Sequence, residues 1–383
     1  MPFAPTGEAE RFALTNSSVS ESSRLALPPA FFIAIVVSHF DRDAHVQAER
    51  YFERVQTPHK LGRLILAPTG RAGDFDSHGV DCAFVFRAPD GVASSPFRMT
   101  YVGFDGVGYR TGTASSDDLI TWRRDGLLID RGLVGSITEF NVALTWILRD
   151  NDLFGNGSLR RVGGEYIGTY HAYPQPGYES GPAAIGICKS DDLCTWRLDD
   201  PVIRAEDGTE WERGGLYKSC LVEHAGMYYL FYNAKDRGKN WREQIGFATS
   251  RDLKTWTRHP RNPVVRVGVS GSIDNRFVSE PCVLRVDDVW AMFTFSLSSD
   301  GFARDTVAFS DDLVTWTKAT RPLVDVGPRG SIDERYAHKP SMFTDNGVLY
   351  HFYTAVAPNP SGRLGEVNTH EMRGISVAAS RPL

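Results

Sequence analysis

SDDLITW at 116–122, SDDLCTW at 190–196, SRDLKTW at 250–256 and SDDLVTW at 310–316 are four copies of one phrase. Successive copies start 74, 60 and 60 residues apart. A period of this size is the signature of a repeat architecture, and it constrains the fold before any local element is read. Within the phrase, Ser and Asp accept hydrogen bonds from nearby backbone N–H groups in a turn. Leu and Trp supply apolar anchors between neighbouring repeats. A reacting group is needed once, whereas these Asp and Trp residues recur in every copy, so they read as scaffold.

Working outward, an aromatic and β-branched run precedes each copy: FRMTYVGF at 97–104, YIGTYHAY at 166–173, MYYLFYNA at 227–234 and WAMFTFSL at 290–297. Such runs favour strands. A fifth, LYHFYTAV at 349–356, leads to GISVAAS, which stops at Ser380. Short strands follow the phrase, as in NPVVRVG at 262–268 and RPLVDVG at 321–327. Their missing fifth counterpart is at the other end of the chain, GRLILAP at 62–68. An N-terminal strand completing the last repeat removes two exposed sheet edges. The pattern therefore predicts an all-β, five-bladed β-propeller over 45–383, closed by that strand. Residues 1–44, rich in Ser, Ala and Pro, are expected to be a poorly structured tail.

The chain has 383 residues, 42% of them hydrophobic and 23% charged, which is a globular composition. A formal net charge of -5 argues against a nucleic-acid partner. Five cysteines, Cys82, Cys188, Cys194, Cys220 and Cys282, form no CxxC pair and leave an odd count. Neither a disulfide framework nor a metal site is expected, and free thiols suit the cytoplasm. The apolar run LALPPAFFIAIVV at 25–37 is too short for a membrane span, so no membrane partner is expected. Its alternative reading is a secretory signal.

These repeats resemble the propeller glycosidases, the group containing glycoside hydrolase families 43, 32, 68, 117 and 130. The resemblance rests on A/F-x-S-x-D-L-x-x-W after a Tyr-rich strand, and on openings such as GDFDSHGVDCAFVF at 73–86 and GSIDNRFVSEPCVL at 271–284. It implies a pocket on the propeller axis, built by the first strand of each blade and furnished with carboxylates. It implies an oligosaccharide or glycoside substrate and no cofactor. One departure concerns the first blade, which reads VDCA where families 32 and 43 typically carry Asp-Pro or Asn-Asp-Pro.

Aligned by the repeat, the inner strands open at Asp76, Thr138, Glu212, Asp274 and Asp333. Six residues later stand Cys82, Leu144, Lys218, Glu280 and Lys339, preceded by Asp81, Ala143, Tyr217, Ser279 and His338. Chemistry varies here while the surrounding pattern is kept, and buried charge is costly unless paired or useful. Glycoside cleavage needs a proton donor for the leaving oxygen and a second carboxylate that attacks or activates water. Glu280 is the expected acid, Asp81 the expected base or nucleophile, and Glu212 an orienting carboxylate. Asp274 and Asp333 read as turn or cap residues. Substrate contacts are expected from Asp76, Lys218, His338, Lys339, His171, Tyr178 and Lys235. The two lysines also suit an anionic sugar, or phosphate in place of water as in a phosphorylase. A non-catalytic carbohydrate-binding propeller is the remaining alternative.

Overall fold

The computed structural model describes residues 46–91 and 94–383. Expectations for the tail at 1–44, including the apolar run at 25–37, lie outside the described residues. A short helical segment at 46–54 is followed almost entirely by strand and turn.

Repeat one runs up and down through Gly79–Arg87, Phe97–Phe104, Tyr109–Ser116 and Trp122–Ile129. Repeat two uses Ala143–Ile147, Glu165–Ala172, Ala184–Ser190 and Arg197–Arg204. Repeat three uses Gly215–His224, Met227–Lys235, Glu243–Ser250 and the short Thr257–Arg258. Repeat four uses Phe277–Val286, Val289–Leu297, Ala303–Ser310 and Thr317–Lys318. Repeat five uses Tyr336–Asp345, Val348–Pro358 and Glu371–Ala379. All these neighbours pair antiparallel, as consecutive strands joined by tight turns must.

The recurring phrase is a turn with fixed chemistry. In the fourth copy Ser310 Oγ accepts from Leu313 N at 2.9 Å, and Asp312 Oδ1 accepts from Val314 N and Thr315 N at 2.8 and 2.7 Å. The Leu of every copy takes a positive φ, 68° at Leu119, 62° at Leu193, 61° at Leu253 and 66° at Leu313. A left-handed Leu is strained, and the Ser and Asp bonds on either side hold it there. That conformation buries the leucine while aiming the tryptophan at a neighbouring repeat. Trp316 packs edge-on against Phe231 of repeat three, and Trp122 against Phe352 of repeat five.

The acids that open the inner strands form a second recurring device. Asp76 accepts from Tyr101 Oη at 3.1 Å and Arg124 Nε at 2.8 Å. Glu212 accepts from Tyr232 Oη at 2.9 Å and Arg258 Nε at 3.0 Å. Asp274 holds Lys318, and Asp333 accepts from Tyr353 Oη at 3.0 Å and Lys60 Nζ at 2.6 Å. Each acid ties a repeat's outer strand to its inner edge, and the buried carboxylate is satisfied by paired donors.

Lys60 comes from His59–Lys60, which pairs with Glu371–Ala379. The register is the one used elsewhere: Lys60 faces Ala378 as Arg258 faces Ala248, Lys318 faces Ala308 and Arg124 faces Ala114. Leu66 then bridges Ile375, as Val265 bridges Ile245 and Val324 bridges Asp305. The stretch expected to close the last repeat, 62–68, contributes the Leu66 bridge, with Ile65 N donating to the Ile375 carbonyl and Ser376 Oγ to the Arg63 carbonyl, each at 2.8 Å. The ladder itself lies just before it, at His59–Lys60.

Candidate active site

Each inner strand breaks register at the same place. The irregularities fall between Asp81 and Phe84, Leu144 and Trp146, Leu216 and Ser219, Ser279 and Cys282, and His338 and Ser341. At three of them the extra residue is left-handed: Cys82 at 49°, Glu280 at 56° and Lys339 at 68°. A bulge re-aims a side chain that strict alternation would send elsewhere. Here it turns successive residues of several strands toward one interior space.

That space has two parts. A cavity of about 140 Å³ is lined by the charged Glu179, Glu243, Glu280 and Lys339 together with Phe277, Phe295, Leu297 and Tyr336. A tighter recess contiguous with it, sharing Glu179, Tyr217, Glu280 and Lys339, adds Asp81, Cys82, Tyr109, His171, Tyr173 and Lys218. Lys339 Nζ lies 2.9 Å from Glu280 Oε1 and 3.0 Å from Asp81 Oδ2. Lys218 Nζ is 3.5 Å from Glu280 and also donates to the Pro340 carbonyl at 3.3 Å. Both ammonium groups are thus matched by carboxylates within the protein, which is what such deep burial requires.

Asp81 is saturated. Its Oδ1 accepts from Cys82 N at 2.9 Å and Thr354 Oγ1 at 2.6 Å. Its Oδ2 faces Lys339, Arg373 Nη1 at 3.2 Å and the Tyr178 hydroxyl. Despite burial, the Lys339 and Arg373 charges and the Thr354 bond hold its carboxyl well below the usual range. His338 donates through Nδ1 to the Thr354 carbonyl at 2.9 Å, while Arg373 approaches its Nε2 at 3.4 Å. Burial and that guanidinium keep the imidazole neutral. Burial beside Lys339 and Lys218 pushes His171 down to about 3.

Glu243 is the contrasting acid. It opens the third strand of repeat three and is buried among Ser279 Oγ at 2.7 Å, Asn233 Nδ2 at 3.3 Å and Trp241 Nε1 at 3.3 Å. Burial first, and the Glu179 carboxylate second, push its pKa up to about 7. Glu179 is itself raised by burial and by the Glu280 and Asp81 charges, against the pull of Lys339 at 3.7 Å.

Of the residues singled out in the sequence, the structure brings Asp81, Glu280, Lys218, Lys339, His338, His171 and Tyr178 together. Lys235 stands at the edge, its Nζ 5.1 Å from the centre of the Tyr217 ring. Glu212 and Asp76 are not brought in. Both belong to the strand-tying device described above, and Gly208 is glycine because a Cβ there would clash with the Glu212 side chain. The expected orienting and substrate-binding roles for these two acids are corrected accordingly. The lysines, which also suited an anionic sugar or phosphate, pair with carboxylates of the protein.

Sequence reasoning missed Glu243, Glu179, Asn233 and Arg373. A signal existed for two of them. Seven residues before the serine of each phrase, or its equivalent Ser380, stand Tyr109, Ala183, Glu243, Ala303 and Arg373. Four of these five line the cavity or its recess. Three buried polar atoms at the site have no partner in the protein: Tyr109 Oη, His171 Nδ1 and Asn233 Oδ1. Among the described residues, no cluster of His, Cys, Asp and Glu is arranged to hold a metal ion.

Comparison with known proteins bears on what this site does. Residues 155–326 match the model of the glycosyl hydrolases family 32 N-terminal domain. A solved BT0996 RGII complex is 31% identical, with a TM-score of 0.74 over 88% of this chain and 96% of that one. A solved glycoside hydrolase is 30% identical, with a TM-score of 0.71 over 88% of this chain and 95% of its own. A 1,2-beta-oligomannan phosphorylase of Thermoanaerobacter sp. (strain X514) is 24% identical over 31% of this chain. The chain spans less than half the length of the curated relatives it matches.

Proposed function

The chain belongs to the propeller glycoside hydrolases, and from that premise we propose that it hydrolyses the bond holding a terminal sugar, with Glu243 as general acid and Glu280 as the carboxylate facing the anomeric carbon. The observation that carries this reading is the contrast between acids in one cavity. Glu243 is pushed up to about 7, so it keeps a proton to give to the leaving oxygen near neutral pH. Glu280 instead lies 2.9 Å from Lys339 Nζ and 3.5 Å from Lys218 Nζ, at the floor of the same cavity. Environments that differ in this way separate the two roles.

Asp81 then acts through others, since all its lone pairs are engaged by Thr354, Cys82 N, Lys339, Arg373 and Tyr178. It fixes Lys339 and Tyr178 in place. The unpartnered Tyr109 Oη, His171 Nδ1 and Asn233 Oδ1 suit the hydroxyls of one sugar ring. A cavity of about 140 Å³ is below the usual ligand range of about 300–1,000 Å³, which favours a single residue over a length of chain.

Water, rather than phosphate, is the acceptor in this reading, because both lysines at the floor are already matched by carboxylates. Five blades closed into a ring by His59–Lys60 are part of the same proposal. They are supported by the common register of Lys60 and by the packing of Trp122 on repeat five.

The test is turnover of unactivated and aryl glycosides by wild type, Glu243→Gln and Glu280→Gln, with and without phosphate. Each variant should lose at least about 100-fold in kcat on unactivated substrate. Aryl glycosides with good leaving groups should partly rescue Glu243→Gln and leave Glu280→Gln inactive. Either variant retaining a tenth of wild-type turnover, or a strict need for phosphate, overturns the assignment.

A further inference from the structure

Next to Glu243 and Phe277, which line the cavity, lies a second, differently charged surface. Trp241, 39% exposed, donates through Nε1 to Glu243 at 3.3 Å and lies nearly parallel to Phe277, ring centres 6.1 Å apart. Lys235 Nζ sits 5.4 Å from the centre of the Trp241 ring and 5.1 Å from that of Tyr217. The Arg276 guanidinium lies 5.3 Å from the centre of Phe277. Among the described residues neither Lys235 nor Arg276 has a carboxylate within 4.0 Å, unlike Lys218 and Lys339 at the floor. Both cations rest on aromatic faces, which hold their position without neutralising their charge.

The position of this surface follows from the proposed function, on which the inference rests. A general acid stands beside the leaving oxygen, so groups that bracket Glu243 and reach solvent touch the leaving group. An exposed indole offers a flat face to a sugar, and two cations with no carboxylate within 4.0 Å beside it favour an anion. The protein as a whole carries a net charge of -5, so an acidic glycan gains nothing from the long-range field. Its attraction must be local.

We propose that Trp241, Lys235 and Arg276 form a leaving-group subsite for a negatively charged sugar, a uronate or a sulfated residue. Trp241 stacks on the ring, and the two cations meet the acid group. Among the described residues, the sugar that is cleaved off meets only cations already paired with carboxylates, so the charge requirement falls on the part of the glycan left behind.

Titration calorimetry with trigalacturonate and its trimethyl ester tests this directly, because the two differ in charge and little else. Wild type should bind the acid at least about 10-fold more tightly at low ionic strength, with the preference shrinking as salt is raised. Lys235→Gln with Arg276→Gln should erase the preference, and Trp241→Ala should weaken both ligands. Arg276→Gln alone, on the half-buried rim, keeps the question open to measurement if the double variant does not fold. A sulfated disaccharide in parallel ranks sulfate against carboxylate, and preference for either over the ester upholds the subsite. Equal affinity for acid and ester, or no binding of any of them by wild type, overturns it. Failure of glycoside cleavage with the acid preference intact would sink the hydrolase reading and leave the subsite standing. Cleavage without the preference would do the reverse.

Discussion

Glu243 costs stability in order to be useful. Its carboxyl has an ordinary value of 4.5 and is held at about 7 in the folded chain. Below about 4.5 the group is protonated whether folded or not, and nothing is lost. Between 4.5 and 7 the unfolded chain gives up its proton first, so the folded state is progressively penalised. Above 7 the penalty is complete, on the order of 3 kcal/mol. Glu243→Gln removes it. Urea melts should show the variant gaining stability over wild type between pH 5 and pH 8, while kcat/KM of the wild type falls as pH rises through about 7. Parallel stabilities at the two pH values would refute the shift. Asp81 has the opposite sign, its contribution being present above 3.8 and lost as pH falls below that value. Asp81→Asn leaves Lys339 and Arg373 under-compensated, a change that costs about 3–5 kcal/mol in buried pairs.

At the scale of the element, the strands were legible because their aromatic and β-branched runs are long and periodic. FRMTYVGF is the strand Phe97–Phe104, residue for residue. The phrase was legible as a turn for the same reason that it recurs, since Ser and Asp bonds are needed wherever Leu turns left-handed. Ser310→Ala removes the acceptor for Leu313 N and Asp312 N and should cost about 1 kcal/mol in urea unfolding. An unchanged midpoint would mean that Asp312 alone sets the turn. The bulges could not be read from the pattern. Strict alternation would send Asp81 and Cys82, or His338 and Lys339, to opposite faces, and only a bulge brings neighbours to one cavity. The hint was variable chemistry at one register position.

For the molecule as a whole, the contact that matters most joins the two ends of the described chain. Lys60 reaches Asp333, 273 residues away, and Thr57 Oγ1 lies 3.2 Å from His351 Nδ1, whose Nε2 meets Asp305 at 2.9 Å. Repeat five depends on strand pairing supplied by residues near the start. A chain beginning at Leu61 should therefore melt at lower temperature and associate through its opened sheet edge, as scanning calorimetry and gel filtration would report. An unchanged melting temperature and a monomeric profile would show that the ends are not coupled. Lys60→Met, which keeps the strand but leaves Asp333 with only the Tyr353 and Ser331 hydroxyls, should lose a smaller amount, about 1–3 kcal/mol.

The repeat period, the all-β class and the cluster of Asp81, Lys218, Glu280, His338 and Lys339 followed from the sequence alone. Each is written in residues that are close in the chain or aligned by the repeat. The division of labour among the acids followed only from the tertiary structure. Asp76 and Glu212 begin their strands just as a site residue would, yet both are committed to tyrosine and arginine partners from the same repeat. Glu179 carries no local mark, and Glu243 is marked only by its place seven residues before a phrase, because a carboxyl's proton affinity depends on burial and on charges brought from other strands. That environment exists only once the strands of several repeats converge on a common interior.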